Sequence, residues 1–255
     1  MIEYRDVWKS FDAPVLAGVS LAVRSGEMLS LLGPSGTGKS VLLKTTIGLI
    51  VPDRGDVLID GQSVYHNGRE ALEAVRRKVG YVFQYAALFD SLTVYENVSQ
   101  GLSDEELKRL QRREVLERVC HALEDVNLEP RAVLHKLPAE LSGGMRKRVG
   151  LARAIVGKPE ILLYDEPVTG LDPVNTAAVE RLVTEIRDKM GVTSLFVTHN
   201  VEGALAISDR VALLDHGLLR FVGTPEEFRS SDDELVRAFG DRAVAMATAT
   251  RMMEE

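Results

Sequence analysis

Apolar and polar positions alternate with a period of two where the chain begins. Ile2-Glu3-Tyr4-Arg5-Asp6-Val7 reads as a strand, residues 15–23 as a looser one, and Ser25-Gly26 as the turn that follows. Met28-Leu29-Ser30-Leu31-Leu32 is a short apolar run ending in a glycine-rich turn. From Lys39 the spacing becomes helical, with Leu42, Leu43, Thr46 and Ile47 on one side and Gly48 near the end. Pro52 and Gly55 break the chain, and residues 57–59 and 79–83 read as further short strands, the second stopping at Gln84.

Between residues 91 and 136 strand signals are few. Residues 104–126 read as one long charged helix, with Leu107, Leu110, Val115, Val119, Leu123 and Val126 at helical spacing. Residues of about 85–155 are therefore expected to form a helical lobe inserted in an α/β core. After Ser142-Gly143-Gly144 the run to Val156 is helical, with Arg and Lys on its polar side. Strands at 161–164, 193–197, 211–214 and 218–222 then alternate with helices at 174–189 and 201–207, which predicts a sheet with helices on both faces. Residues 241–255, rich in Ala and Met, read as a loose helix or a frayed tail.

Composition narrows the classes. A chain of 255 residues suits one large α/β domain, or one with a lobe inserted in it. Lys plus Arg is 31 and Asp plus Glu is 38, a net charge of −7, which argues against sequence-independent nucleic-acid binding. The Arg146-Lys147-Arg148 cluster reads as solvated neighbours on a helix, too small a patch to reverse that. Cys120 is the one cysteine, so no intrachain disulfide is expected. Charges at Glu3, Arg5, Asp6 and Lys9 do not suit a signal peptide, and no apolar run approaches the roughly 18–20 residues of a membrane span.

Two motifs carry chemistry. Gly33-Pro34-Ser35-Gly36-Thr37-Gly38-Lys39-Ser40 fits G-x-x-x-x-G-K-[ST], between a strand and a helix as that motif requires. Glycines let backbone N–H groups turn around phosphate oxygens, and the helix N-terminus points its positive end at them. Lys39 supplies a full charge for the β- and γ-phosphates, the Ser40 hydroxyl can ligate Mg²⁺, and Val41 completes the nucleotide-binding set. The strand Ile161-Leu162-Leu163-Tyr164 ends in Asp165-Glu166, where ligands of parallel sheets collect. Asp165 is then a metal ligand, directly or through water, and Glu166 a base or water orienter facing the γ-phosphate.

Leu141-Ser142-Gly143-Gly144-Met145 resembles the signature motif of ATP-binding-cassette ATPases. The other marks of that family fall in order over residues 1–239: the loop at 33–40, Gln84 after a strand, Asp165-Glu166, Leu171-Asp172, and His199 after a strand. The resemblance implies a P-loop NTPase core of residues 1–84 and 156–239 with an N-terminal antiparallel β-subdomain, a helical subdomain at about 85–155, and a tail from 240 to 255. It further implies that Phe11 stacks on adenine, that Gln84 reaches Mg²⁺ and the attacking water, and that His199 bonds the γ-phosphate. Two cassettes would pack head to tail, each ATP lying between one chain's phosphate loop and the other's Ser142, Gly143 and Gly144, with Asp172 at the seam. The implied partners are a sister cassette and a transmembrane permease subunit, at the cytoplasmic face of the inner membrane, with ATP and Mg²⁺ as cofactors and no nucleic acid.

Met145 stands where most of the family has Gln, and Val168-Thr169-Gly170-Leu171-Asp172 departs from the commoner Ser-Ala-Leu-Asp; neither removes a catalytic group. Residues 141–154, 84–94 and 223–228 resemble the lipid-transport branch of the family (Mla/Mce type), which implies phospholipid cargo and lipid-carrier subunits as further partners. An importer of a polar solute such as an amino acid, a soluble cassette ATPase without a transporter, a small-molecule kinase and a nucleotide-bound scaffold remain as alternatives. Ala86, Ala87, Leu88, Phe89 and Leu92 beside Gln84 read either as lobe core or as an apolar groove for a short helix of the permease.

Overall fold

The computed structural model describes residues 1–240. Along the chain run β1 (Ile2–Ser10), β2 (Pro14–Val23), β3 (Met28–Leu32), α1 (Lys39–Thr46), β4 (Arg54–Ile59), β5 (Gln62–Ser63), α2 (Gly68–Lys78) and β6 (Val79–Val82). Then come α3 (Val94–Ser99), α4 (Asp104–Arg109), α5 (Arg112–Asp125), α6 (Pro130–Val133), α7 (Gly143–Ile155), β7 (Ile161–Asp165) and α8 (Pro173–Met190). The last elements are β8 (Thr193–Val197), α9 (Val201–Ile207), β9 (Arg210–Asp215), β10 (Leu218–Gly223) and α10 (Pro225–Arg229). The expected tail, residues 241–255, lies outside the described residues. Among the described residues no helix is long and apolar enough to cross a membrane.

The chain forms two compact units, one of Met1–Leu72 with the chain from Ser194 on, the other of Glu73–Thr193. In the first, the alternating strands build an antiparallel sheet in the order β2-β1-β4-β5. The continuous apolar runs build a second sheet, β10-β9-β3-β8, in which β3 runs parallel to both β9 and β8. All five residues of β3 and of β8 are buried, whereas β10 keeps alternating exposure as an edge strand should. Leu32, Val201, Ala204, Val211, Leu213, Phe228 and Val236 pack as a core beside these strands, with Phe221 edge-on to Phe228 at 5.3 Å.

The second unit carries β6 and β7 as a parallel pair, the helices α3 to α7, and α8. Here the structure corrects one expectation. Residues 104–126 are two helices, because Leu110 turns extended at ψ 142° and Gln111 starts the next helix. Each has its own start signal: Ser103 and Glu106 cap α4 reciprocally, and the Gln111 amide donates to Glu114 at 2.7 Å. The ion pair Glu106–Arg118, 2.8 Å, joins them. The segment 89–93 is held by buried Asn97, which accepts from the Phe89 N–H at 2.8 Å and donates to the carbonyls of Phe89, Leu92 and Thr93.

Candidate functional site

In the first unit, β3 delivers the chain to Gly33, whose φ of 152° takes it directly past β9. A Cβ at Gly33 would lie 2.2 Å from the Leu214 carbonyl oxygen, so the turn admits glycine alone. The Thr37 hydroxyl donates to the Pro34 carbonyl at 2.9 Å and closes the loop on itself. Gly36, at φ 82°, faces open space, and Gly38 caps α1 with its carbonyl on the Leu42 N–H. Lys39 is buried, and its ammonium donates to the carbonyls of Gly33 and Pro34, each at 2.8 Å. Ser40 and Val41 follow, half-buried, in the first turn of α1.

The far end of α1 is anchored too. The Tyr65 hydroxyl donates to the carbonyls of Thr45 and Ile50, and the Tyr4 and Thr46 hydroxyls meet at 2.6 Å. A hollow of about 290 Å³ opens over the loop, lined by Pro34, Ser35, Gly36 and Thr37, by Pro14 and Val15, and by the turn of Asp215, His216 and Gly217. Phe11 stands outside that lining, exposed in the turn after β1, with the Lys9 ammonium 5.4 Å from its ring centre. His199 is exposed just after β8, before Asn200 caps α9 through the Gly203 N–H.

In the second unit, Val82 pairs with Tyr164, so β6 and β7 run out at the same edge and bring Gln84 and Asp165-Glu166 there together. Asp165 is buried and accepts a 2.9 Å hydrogen bond from the Tyr81 hydroxyl. Glu166 sits at φ 48°, a left-handed conformation that non-glycine residues rarely adopt and that concentrates at functional sites. Its Oε2 accepts from the Thr169 hydroxyl at 2.9 Å. The Gln84 carbonyl accepts from Lys147 Nζ.

The serine-glycine turn is a capped helix start, with Ser142 Oγ accepting from the Met145 N–H at 3.3 Å. Asp172 caps α8 in the same way, through the Asn175 N–H at 2.9 Å and the Asn175 side-chain amide. A Cβ at Gly144 would lie 3.3 Å from Asn175 Oδ1, so the Asn175 side chain that bonds Asp172 also lies close to the Gly144 turn. Sequence reasoning missed Asn175, although Asp172-x-x-Asn175 before a helix is a readable cap spacing. It also missed Tyr81 and Asn97.

Hydrogen bonds from the Asn175 backbone and then its side chain hold the Asp172 carboxyl below the usual carboxylate range. Its folded pKa is thus lower than its unfolded one. The stability it lends is complete above the unfolded value, about 3.9, and is lost as pH falls through the folded value. Thermal unfolding between pH 3 and 6 is expected to show a steeper loss of Tm below about pH 4 in the wild type than in Asp172→Asn, which still caps but does not titrate. Equal slopes would remove Asp172 as a source of that dependence.

One sequence expectation is corrected. Arg146, Lys147 and Arg148 are not simply solvated: they donate to the carbonyls of Leu141, Gln84 and Asn127 respectively. The segment beside Gln84 divides between the two readings left open for it: Ala86 is buried against Gly150, while Tyr85 and Phe89 are exposed, by 80% and 55%.

A family model described as ABC transporter matches residues 16–169. The chain is 42% identical over 234 residues to a sulfate/thiosulfate import ATP-binding protein of Caulobacter vibrioides, covering 91% of this chain and 67% of that protein. It is 40% identical over 257 residues to the chloroplast protein trigalactosyldiacylglycerol 3 of Arabidopsis thaliana, covering 94% of this chain and 73% of that one. A dimeric ATP-binding cassette in a post-hydrolysis state, bound to ADP and phosphate, superimposes with a TM-score of 0.78 at 30% identity, covering 88% of this chain and 99% of that one.

Proposed function

Because this chain belongs to the ABC transporter family and is the ATP-hydrolysing subunit of a membrane transporter, we propose that it drives phospholipid transport by ATP-dependent closure of a head-to-tail dimer. The observation that carries the mechanism is a pair of anion-ready helix starts, the Gly33–Ser40 loop on α1 and the Ser142-capped α7, one in each unit of the chain. A triphosphate held by the loop of one protomer and the serine-glycine turn of its twin stabilises the closed pair, and hydrolysis weakens it.

Within this reading each residue has a task. The loop amides and Lys39 hold the β- and γ-phosphates, Phe11 stacks on the base, Glu166 orients and deprotonates the attacking water, and His199 bonds the γ-phosphate. Ser40, Asp165 and the Gln84 side-chain carbonyl would hold Mg²⁺ through oxygen, the ligand type that suits it. When bound, Mg²⁺ neutralises charge on the phosphates. At the cytoplasmic membrane face, the exposed Phe89 and Tyr85 flank the docking surface for a permease helix.

The phospholipid cargo is supported by the resemblance of residues 84–94, 141–154 and 223–228 to lipid-transport cassettes, and lipid cargo more broadly by a relative named for a galactolipid, which carries no phosphate. The sulfate importer among the relatives favours a second reading, a polar anion as cargo. Purification with the permease decides between them: copurified phospholipid, and ATP-driven movement of labelled phospholipid between vesicles, support the first; movement of sulfate alone overturns it. Phe89→Asp is expected to cut permease-stimulated ATPase by about tenfold or more, as loss of a buried aromatic anchor does, while the isolated chain keeps its basal rate. Unchanged stimulation in detergent-purified complex would rule out this docking surface.

A further inference from the structure

Helix α7 does more than present the serine-glycine turn at its N-terminus. Lys147, Gly150 and Arg153 are spaced by three residues, so they share one face of that helix. All three meet the same backbone segment. Lys147 Nζ donates to the Gln84 carbonyl. Arg153 donates to the carbonyls of Ala86 at 2.6 Å and Ala87 at 2.7 Å, and its guanidinium lies 5.9 Å from the Phe83 ring centre. Gly150 lets Ala86 lie flat on the helix, since a Cβ there would come within 3.1 to 3.3 Å of three Ala86 atoms. Ala86 and Ala87 have φ of 59° and 46°, a turn that aims successive carbonyls at these donors.

We propose that Lys147 is a positioning residue for Gln84, the outermost point of a three-point clasp that fixes the 84–87 segment to the helix carrying Ser142–Gly144. A shift of either end is then transmitted to the other through α7. Lys147 touches no phosphate in this scheme and acts through the loop backbone. It is half-buried, and burial pushes its ammonium below the usual lysine range, an effect that the Glu166 carboxylate opposes. A lysine at this point keeps a single mobile charge where a short side chain would leave the Gln84 carbonyl to water.

The kinetic half of the test rests on the ATPase reading above; the exchange half does not. Amide hydrogen exchange of residues 84–89 and steady-state ATPase are to be measured on the full chain for wild type, Lys147→Ala and Lys147→Arg. Losing one charge-assisted bond is expected to speed exchange at the Ala86 amide, bonded to the Phe83 carbonyl at 3.1 Å, by about tenfold in Lys147→Ala. kcat falls by a similar factor while KM for ATP holds, because the phosphate loop is untouched, and Lys147→Arg recovers both. Wild-type exchange at 84–89 in Lys147→Ala overturns the clasp even if no variant hydrolyses ATP. Faster exchange with unchanged kcat, or a change in KM alone, overturns the positioning role.

Discussion

Glu166→Gln lowers ATP turnover by about a hundredfold or more and leaves ATP binding intact, as loss of a positioned general base does. The amide keeps the shape of the side chain and can still accept from the Thr169 hydroxyl, so the left-handed backbone at 166 and the end of β7 are preserved. It cannot take a proton from water. With hydrolysis stopped and both helix starts still able to bind the triphosphate, the dimer accumulates in Mg·ATP instead of cycling. Rapid-quench single turnovers measure the chemical step and light scattering measures the dimer. Wild-type turnover in this variant would strip Glu166 of its proposed role.

Lys39→Ala acts one step earlier and weakens ATP binding by about ten- to a hundredfold, the loss of charge-assisted hydrogen bonds to phosphate. The ammonium now satisfies the carbonyls of Gly33 and Pro34, two neutral acceptors that phosphate oxygens replace with charged ones. Alanine removes that exchange and frees the Gly33 carbonyl, but it keeps the glycine that the turn requires, since a Cβ there would lie 2.2 Å from the Leu214 carbonyl oxygen. Isothermal titration with ATP, alongside thermal unfolding to separate binding from folding, reads the effect. Unchanged affinity would contradict the phosphate-loop assignment.

The contrast between these sites and the clasp explains what a sequence makes legible. The phosphate loop is local: the eight residues Gly33–Ser40, from the end of β3 into the first turn of α1, carry its whole pattern, and the turn geometry appears where the spacing places it. The apolar runs of β3, β7 and β8 were readable because strands buried on both faces lose the alternation of β1. The break at Leu110 was hidden by apolar residues that keep a helical period straight across it, although the Ser103–Glu106 and Gln111–Glu114 spacings mark two starts. Lys147 looked like one of three surface charges because its partner, the Gln84 carbonyl, is 63 residues away in sequence. Backbone acceptors carry no sequence signature, so contacts to them emerge only in the folded chain.

The central claim is that ATP is held between two protomers, by the phosphate loop of one and the serine-glycine turn of the other. Cross-linking tests it directly. One Glu166→Gln chain carrying Ser35→Cys is mixed with a second carrying Ser142→Cys, with Cys120→Ser in both. A dimer joined through these two thiols by a bis-maleimide long enough to span the intervening triphosphate is expected to form in Mg·ATP and to be absent without nucleotide. No cross-link under ATP, or the same yield with and without it, would contradict the claim.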